Sequence, residues 1–141
     1  MKITICGSSA FRKQMIENRD ELIKMGHEPI VHKDYEDIVA GVKPDLLEMI
    51  ENDHANAKKK YGWIKWYYNS IVNSDAILVL NYDKKGIKNY VGGNTLMEIG
   101  FAHVNNKKIF LLNPIPQEVS YAAEIEAMTD VIINGDLSKI I

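Results

Sequence analysis

Residues 76–80 read Ala-Ile-Leu-Val-Leu, five apolar residues with no polar interruption. A strand with one wet face alternates apolar and polar residues. A short, fully apolar run instead fits a strand covered on both faces. Such cover comes from helices above and below a parallel sheet, so this segment points the chain toward an α/β architecture.

The flanking sequence supplies the pieces that architecture needs. Residues 2–6 form a β-branched run that ends at Gly7-Ser8-Ser9, a strand followed by a turn. Across 11–25, Phe11, Met15, Leu22 and Met25 recur at helical spacing, and Gly26 is placed to end that helix. Residues 28–32 read as a second strand, and 33–43 as a polar loop with a helical turn. Pro44 suits the first turn of a helix. From there Leu47, Ile50, His54, Ala57, Tyr61, Ile64, Tyr68 and Ile71 alternate at spacings of three and four. That pattern predicts one continuous helix, roughly 40 Å long at about 1.5 Å per residue. Either Gly62 bends it, or its far end packs on another subunit through Trp63, Trp66 and Tyr67; the second reading is preferred. A polar loop covers 81–90, a helix 95–105, a strand 108–112, a short helix 120–128, a strand 131–133 and a last helical turn 136–141. The resulting β-α alternation predicts a single domain spanning 1–141. It is a three-layer α-β-α sandwich around a five-stranded parallel sheet of flavodoxin or Rossmann-like order.

The 141 residues carry a formal charge of −2 with acids and bases interspersed, which gives no reason to expect a nucleic acid polymer or an anionic membrane as partner. The one like-charge run, Lys58-Lys59-Lys60, reads as a solvated helix face. Cys6 is the only cysteine, so an internal disulfide is ruled out and a buried, inert thiol is expected. A reducing, cytoplasmic setting fits. The first apolar stretch is too short for a signal-peptide core, and no run approaches the roughly 18 apolar residues of a membrane span. His27, His32, His54 and His103 show no ligand pair at helical spacing, so no metal is expected.

In open α/β sheets ligands bind beyond the carboxyl ends of the strands, at the switch point. The loops beginning at Gly7, His32, Asn81 and Asn113 lie there. Gly7-Ser8-Ser9 places small residues and free N–H groups at a helix start, which suits a phosphate; a plain turn with a capping serine explains it equally well. The loop after the central strand carries Tyr-Val-Gly-Gly-Asn-Thr-Leu-Met-Glu-Ile-Gly-Phe-Ala-His, residues 90–103. Thr95 and Glu98 match the capping box, in which Glu98 reaches back to the Thr95 N–H. The alternative is chemical. Gly92 and Gly93 let a backbone approach a ligand, and an acid at an apolar helix start can attack an electrophilic carbon.

Residues 74–112 resemble the nucleoside 2-deoxyribosyltransferase superfamily, which includes the 2′-deoxynucleoside 5′-monophosphate N-hydrolases. The shared elements are Ser-Asp-Ala before an apolar strand, a polar loop, small residues, Glu-Ile-Gly-Phe-Ala and a Lys-Lys-apolar strand. With Ile-Thr-Ile-Cys-Gly-Ser-Ser-Ala-Phe at the start, the resemblance spans the fold; residues 95–102 are its most specific part. It implies that Glu98 attacks C1′ of a sugar and displaces the base, with water or a second base resolving the glycosyl-enzyme, and that no cofactor takes part. It implies that Gly7, Ser8 and Ser9 hold a 5′-phosphate, with Arg12 near. A nucleoside 5′-monophosphate is the first substrate reading and a free nucleoside the second. The family's sugar-binding aspartate falls at Tyr67 here, and its base-binding aspartate at Gly92. Asn81, Asp83, Asn89 and Asn94 are candidate replacements, and Gly92, Gly93 and Asn113 complete the expected binding set. The resemblance also implies a homodimer or larger homo-oligomer. Residues 92–100 further resemble, less closely, the Pro-Gly-Gly-x-Gly-Thr-x-x-Glu motif of lysine-decarboxylase-like phosphoribohydrolases, which also cleave a base from a nucleotide. A nucleotide-binding module without catalysis is the competing reading.

Overall fold

The structure is a computed structural model. It describes the backbone of residues 1–141 and all side chains except those of Lys58, Lys60 and Tyr61. Five strands form one sheet: β1 (Lys2–Gly7), β2 (Glu28–Ile30), β3 (Ala76–Leu80), β4 (Lys108–Leu111) and β5 (Val131–Ile132). They pair in the order β2-β1-β3-β4-β5, every pair parallel. This is the flavodoxin-like order, and the three-layer α/β sandwich is as expected. All five residues of β3 are fully buried, which explains its apolar composition. Each of its Ile, Leu and Val side chains taken from water contributes about 1.5–3 kcal/mol.

The helices are α1 (Arg12–Lys24), α2 (Lys33–Val39), α3 (Pro44–Asn52), α4 (His54–Tyr61), α5 (Trp63–Val72), α6 (Gly93–Val104) and α7 (Ala122–Met128). Right-handed crossovers put α1 on one face of the sheet and α5, α6 and α7 on the other. The packing of α5 on α6, and of α6 on α7, β3 and β4, fits that arrangement. Among the described residues no helix is long and apolar enough to cross a membrane.

Three expectations need correction. The continuous helix over 44–71 is three helices. Asp53 leaves helical geometry at φ −150°, ψ 69°, and Gly62 adopts the left-handed conformation at φ 62°, ψ 32°. A periodic pattern survives such breaks because each segment still turns an apolar side inward. The aromatic face assigned to a subunit contact points inward as well: Trp63 and Tyr67 are buried and Trp66 is half-buried. Residues 33–39, taken as mostly loop, form α2. Its first turn is capped by an imidazole, with His32 Nδ1 accepting the Asp34 N–H at 2.9 Å. The solvated lysine face at 58–60 falls largely outside the described side chains; Lys59 is exposed.

Candidate active site

The crossovers leaving β1 and β3 run to opposite faces, so a crevice opens between the carboxyl ends of these two strands. A cavity lies there, lined by Gly7, Ser8 and Ser9 after β1 and by Gly92, Gly93, Asn94 and Thr95 at the start of α6. Lys84 and Tyr90 close one side, and Tyr35, Ile50, His54 and Trp63 form the outer wall.

Gly7 is fixed by packing. A Cβ there would meet the Leu80 carbonyl oxygen at 3.0 Å, so β1 and β3 could not keep their spacing. The Ser8 hydroxyl accepts the Ala10 N–H at 3.2 Å and caps a three-residue 3-10 turn, Ser9–Phe11. It also accepts from Lys84 Nζ at 2.8 Å. Arg12 braces this loop by donating to the Ser9 carbonyl at 3.0 Å, and it pairs with Glu51 at 3.6 Å.

The start of α6 differs from the capping box. Gly92 is the N-cap, extended at φ −87°, ψ 178°, and its carbonyl accepts the Leu96 N–H at 2.9 Å. The helix therefore begins two residues before Thr95, and Glu98 sits more than a turn inside it. There the carboxylate is no cap. The glycine pair lets the chain enter the helix without a capping side chain, a start that propensity does not mark. Glu98 is 3% exposed and accepts from Asn94 Nδ2 at 3.4 Å, so one hydrogen bond separates it from the cavity wall. Its charge reaches three buried groups, Tyr35, Tyr67 and Cys6: burial pushes all three well up, and the Glu98 charge adds to each.

The outer wall is held by a buried carboxylate. Asp34 accepts from the Trp63 indole N–H at 2.9 Å and from Lys43 Nζ at 2.7 Å. Burial works to raise its pKa, but the hydrogen bonds from Lys43 and Trp63 outweigh it and hold the carboxyl below 3.8. His32 packs its ring 4.4 Å from Trp66, and burial lowers its pKa below 6.5.

The structure brings Gly7, Ser8, Ser9, Gly92, Gly93 and Asn94 together around the cavity, with Glu98 directly behind. Asn81, Asp83 and Asn113 lie outside the lining. Asn81 is fully buried, donates to the carbonyls of Asn113 and Pro114 at 3.0 Å each, and accepts the Asn113 N–H at 2.8 Å. These bonds tie the end of β3 to the end of β4. Asp83 accepts the Asn89 N–H at 2.9 Å and closes the loop from 82 to 90. Sequence reasoning overlooked Lys84, Tyr35, His54 and Trp63 as lining residues. Among the described residues no group of three His, Cys, Asp or Glu could hold a metal ion.

No protein-family profile and no curated protein matches this chain. Among solved structures the fold is similar to the Clostridium botulinum CMP N-glycosidase BcmB, with a TM-score of 0.53 and 19% identity. The match covers 93% of this chain and 84% of that one. At that identity the similarity establishes the shared fold.

Proposed function

We propose that this chain is an enzyme that cleaves or transfers at the N-glycosidic bond of a (deoxy)nucleoside or nucleoside 5′-monophosphate. The observation that carries the reading is Glu98: a buried carboxylate on the helix after the central strand, one hydrogen bond behind the wall of the switch-point cavity. Its fold similarity to a CMP N-glycosidase supports the same class of bond.

In this mechanism a Glu98 oxygen attacks C1′ as the C1′–N bond breaks. The bonding pair leaves with the base, which takes a proton from solvent. The sugar is left as an ester on Glu98, passing through an oxocarbenium-like transition state. Water or an incoming base then attacks C1′, the ester bond breaks toward Glu98, and the anomeric configuration is retained. Gly93, where an added Cβ would meet nothing within 4 Å, gives the sugar a close approach, and Asn94 orients the nucleophile. Exclusion of water by the Tyr35 and Trp63 wall strengthens the electrostatics at C1′.

The test is base release from a panel of nucleosides and 5′-monophosphates by wild type and Glu98→Gln. Glutamine keeps the shape and an acceptor for Asn94 but cannot form the ester. Loss of release in a variant that melts like wild type is the expected result; wild-type rates in Glu98→Gln would remove Glu98 from the mechanism. The second reading, a binding module, has its own support. Tyr67, where the resembling family has an aspartate, is a buried aromatic, and Gly92 is an N-cap without a side chain. Nucleotide binding without base release by wild type is the outcome that would favour it.

A further inference from the structure

The loop from 82 to 90 is built to hold one lysine in place. Lys84 and Ile87 exchange backbone hydrogen bonds at 3.0 and 2.9 Å around a turn in which Lys85 and Gly86 both have positive φ, 53° and 75°. Below this turn the Tyr90 N–H donates to the Tyr82 carbonyl at 2.9 Å, and Asp83 accepts from Asn89. The result is a small closed hairpin. Its Lys84 reaches across the cavity mouth to Ser8, with its ammonium 5.1 Å from the centre of the Tyr90 ring. Tyr90 is itself folded over the helix start: a Cβ on Gly92 would come within 2.8 Å of the Tyr90 hydroxyl.

Three groups able to donate to an anion therefore meet at this mouth. They are the Lys84 ammonium, the Ser8 hydroxyl with the loop after β1, and the first N–H groups of the twelve-residue α6. Among the described residues, no carboxylate lines the cavity. A cation already ordered by a hydrogen bond and an aromatic face loses less freedom on binding a ligand than a solvated one does.

We propose that Lys84 is the specificity residue by which this cavity reads a phosphate monoester, setting a preference for a nucleoside 5′-monophosphate over the free nucleoside. The assignment rests on the nucleotide reading above and deepens it. On binding, the ammonium turns from Ser8 to a phosphate oxygen while the Ser8 hydroxyl donates to another. The phosphate keeps its bonds throughout, so the step is recognition alone.

The experiment measures binding by calorimetry in the Glu98→Gln protein, which holds the substrate without consuming it. Its ligands are nucleoside 5′-monophosphates, the matching nucleosides, ribose 5-phosphate and inorganic phosphate, each with Lys84, Lys84→Met and Lys84→Arg. A charge-assisted bond implies that Lys84→Met shrinks the monophosphate-to-nucleoside preference by roughly 10- to 100-fold, with Lys84→Arg recovering part of it. Inorganic phosphate should compete with the monophosphate in Lys84 protein and lose that ability in Lys84→Met. An equal loss of both ligands in Lys84→Met, or no preference for the monophosphate at the start, overturns the proposal. Ribose 5-phosphate binding as tightly as the nucleotide overturns its nucleotide half. Base release is scored separately in the wild-type protein. Lys84-dependent binding without release leaves the phosphate site standing and removes the glycosidase reading; release without Lys84 dependence does the reverse.

Discussion

Asn94 and Glu98 stand one helical turn apart on α6, and the Asn94 amide donates to Glu98 Oε2 at 3.4 Å. Asn94 lines the cavity and Glu98 is buried behind it, so this bond links the carboxylate to the cavity wall. Asn94→Ala should lower the rate of base release roughly 3- to 10-fold, the worth of one neutral-to-charged orienting bond of modest geometry. Thermal melting should change little, because Asn94 sits near an exposed helix start. A rate equal to wild type would show that Glu98 is aimed by other neighbours.

Two glycines in the site separate packing from ligand approach. Gly7→Ala places a Cβ 3.0 Å from the Leu80 carbonyl oxygen and 3.4 Å from the Leu80 Cβ, where β1 and β3 are paired. A backbone carbonyl in a central pair has little room to retreat, so urea denaturation should report a loss of about 1–3 kcal/mol. At Gly93 an added Cβ meets nothing within 4 Å, and the residue is helical. Gly93→Ala should therefore hold or raise stability, by about 0.5–1 kcal/mol. If Gly93 serves a close approach of substrate, the same variant loses activity while gaining stability. Full activity in Gly93→Ala would mean that no ligand presses on α6 at that point.

The sequence resemblance implies a sugar-binding aspartate at the position that Tyr67 occupies, and Tyr67→Asp introduces that residue type. The position is now walled by aromatic rings, with Trp66 at 4.9 Å and His32 at 6.3 Å between centroids. The Glu98 charge already bears on Tyr67. A second carboxylate in this setting is unpaired and near a like charge. Tyr67→Asp should cost about 3–5 kcal/mol and fail to raise activity. A stable, more active Tyr67→Asp protein would show that the aromatic packing can open to admit a sugar contact.

The sheet was legible in the sequence because strand burial leaves a composition signal: the bounds of β3 follow from its five apolar residues alone. The breaks at Asp53 and Gly62 left no such signal. A glycine in a helical pattern is compatible with a bend, a stop or a continuous helix, and here tertiary packing chose a stop. The same ambiguity hid the direction of the aromatic side chains. Trp63 and Tyr67 are four residues apart, so they share a face whichever way that face points. Glu98 was marked by its surroundings, and of its two readings the capping box does not form, because Gly92 and Gly93 start the helix two residues before Thr95. Lys84 was not visible as a lining residue. One lysine among the three at 84, 85 and 88 has no periodicity to single it out, and only the closed hairpin directs it to Ser8.

The pH dependence of stability follows from His32 and Asp34. Burial lowers the His32 pKa below 6.5, opposed in part by the Asp34 charge. Asp34 lies below 3.8 because the bonds from Lys43 and Trp63 outweigh the effect of burial. Both groups thus hold a proton less tightly in the folded chain than in the unfolded one. The unfolded state binds more protons, so stability rises with pH across each titration. The His32 contribution is complete above its unfolded value near 6.5 and is lost as pH falls through its folded value. The Asp34 contribution is complete above about 4 and is lost further into acid. Melting temperature should be level from pH 7 to 8, fall below about 6.5, and fall again below about 4. His32→Asn keeps a capping acceptor for the Asp34 N–H and should flatten the first decline. Asp34→Asn should lower the melting temperature at pH 7, since the Lys43 ammonium and the Trp63 N–H lose a charged acceptor, and should flatten the second decline. If both variants keep the wild-type slopes, the acid sensitivity arises elsewhere and this network does not titrate with folding.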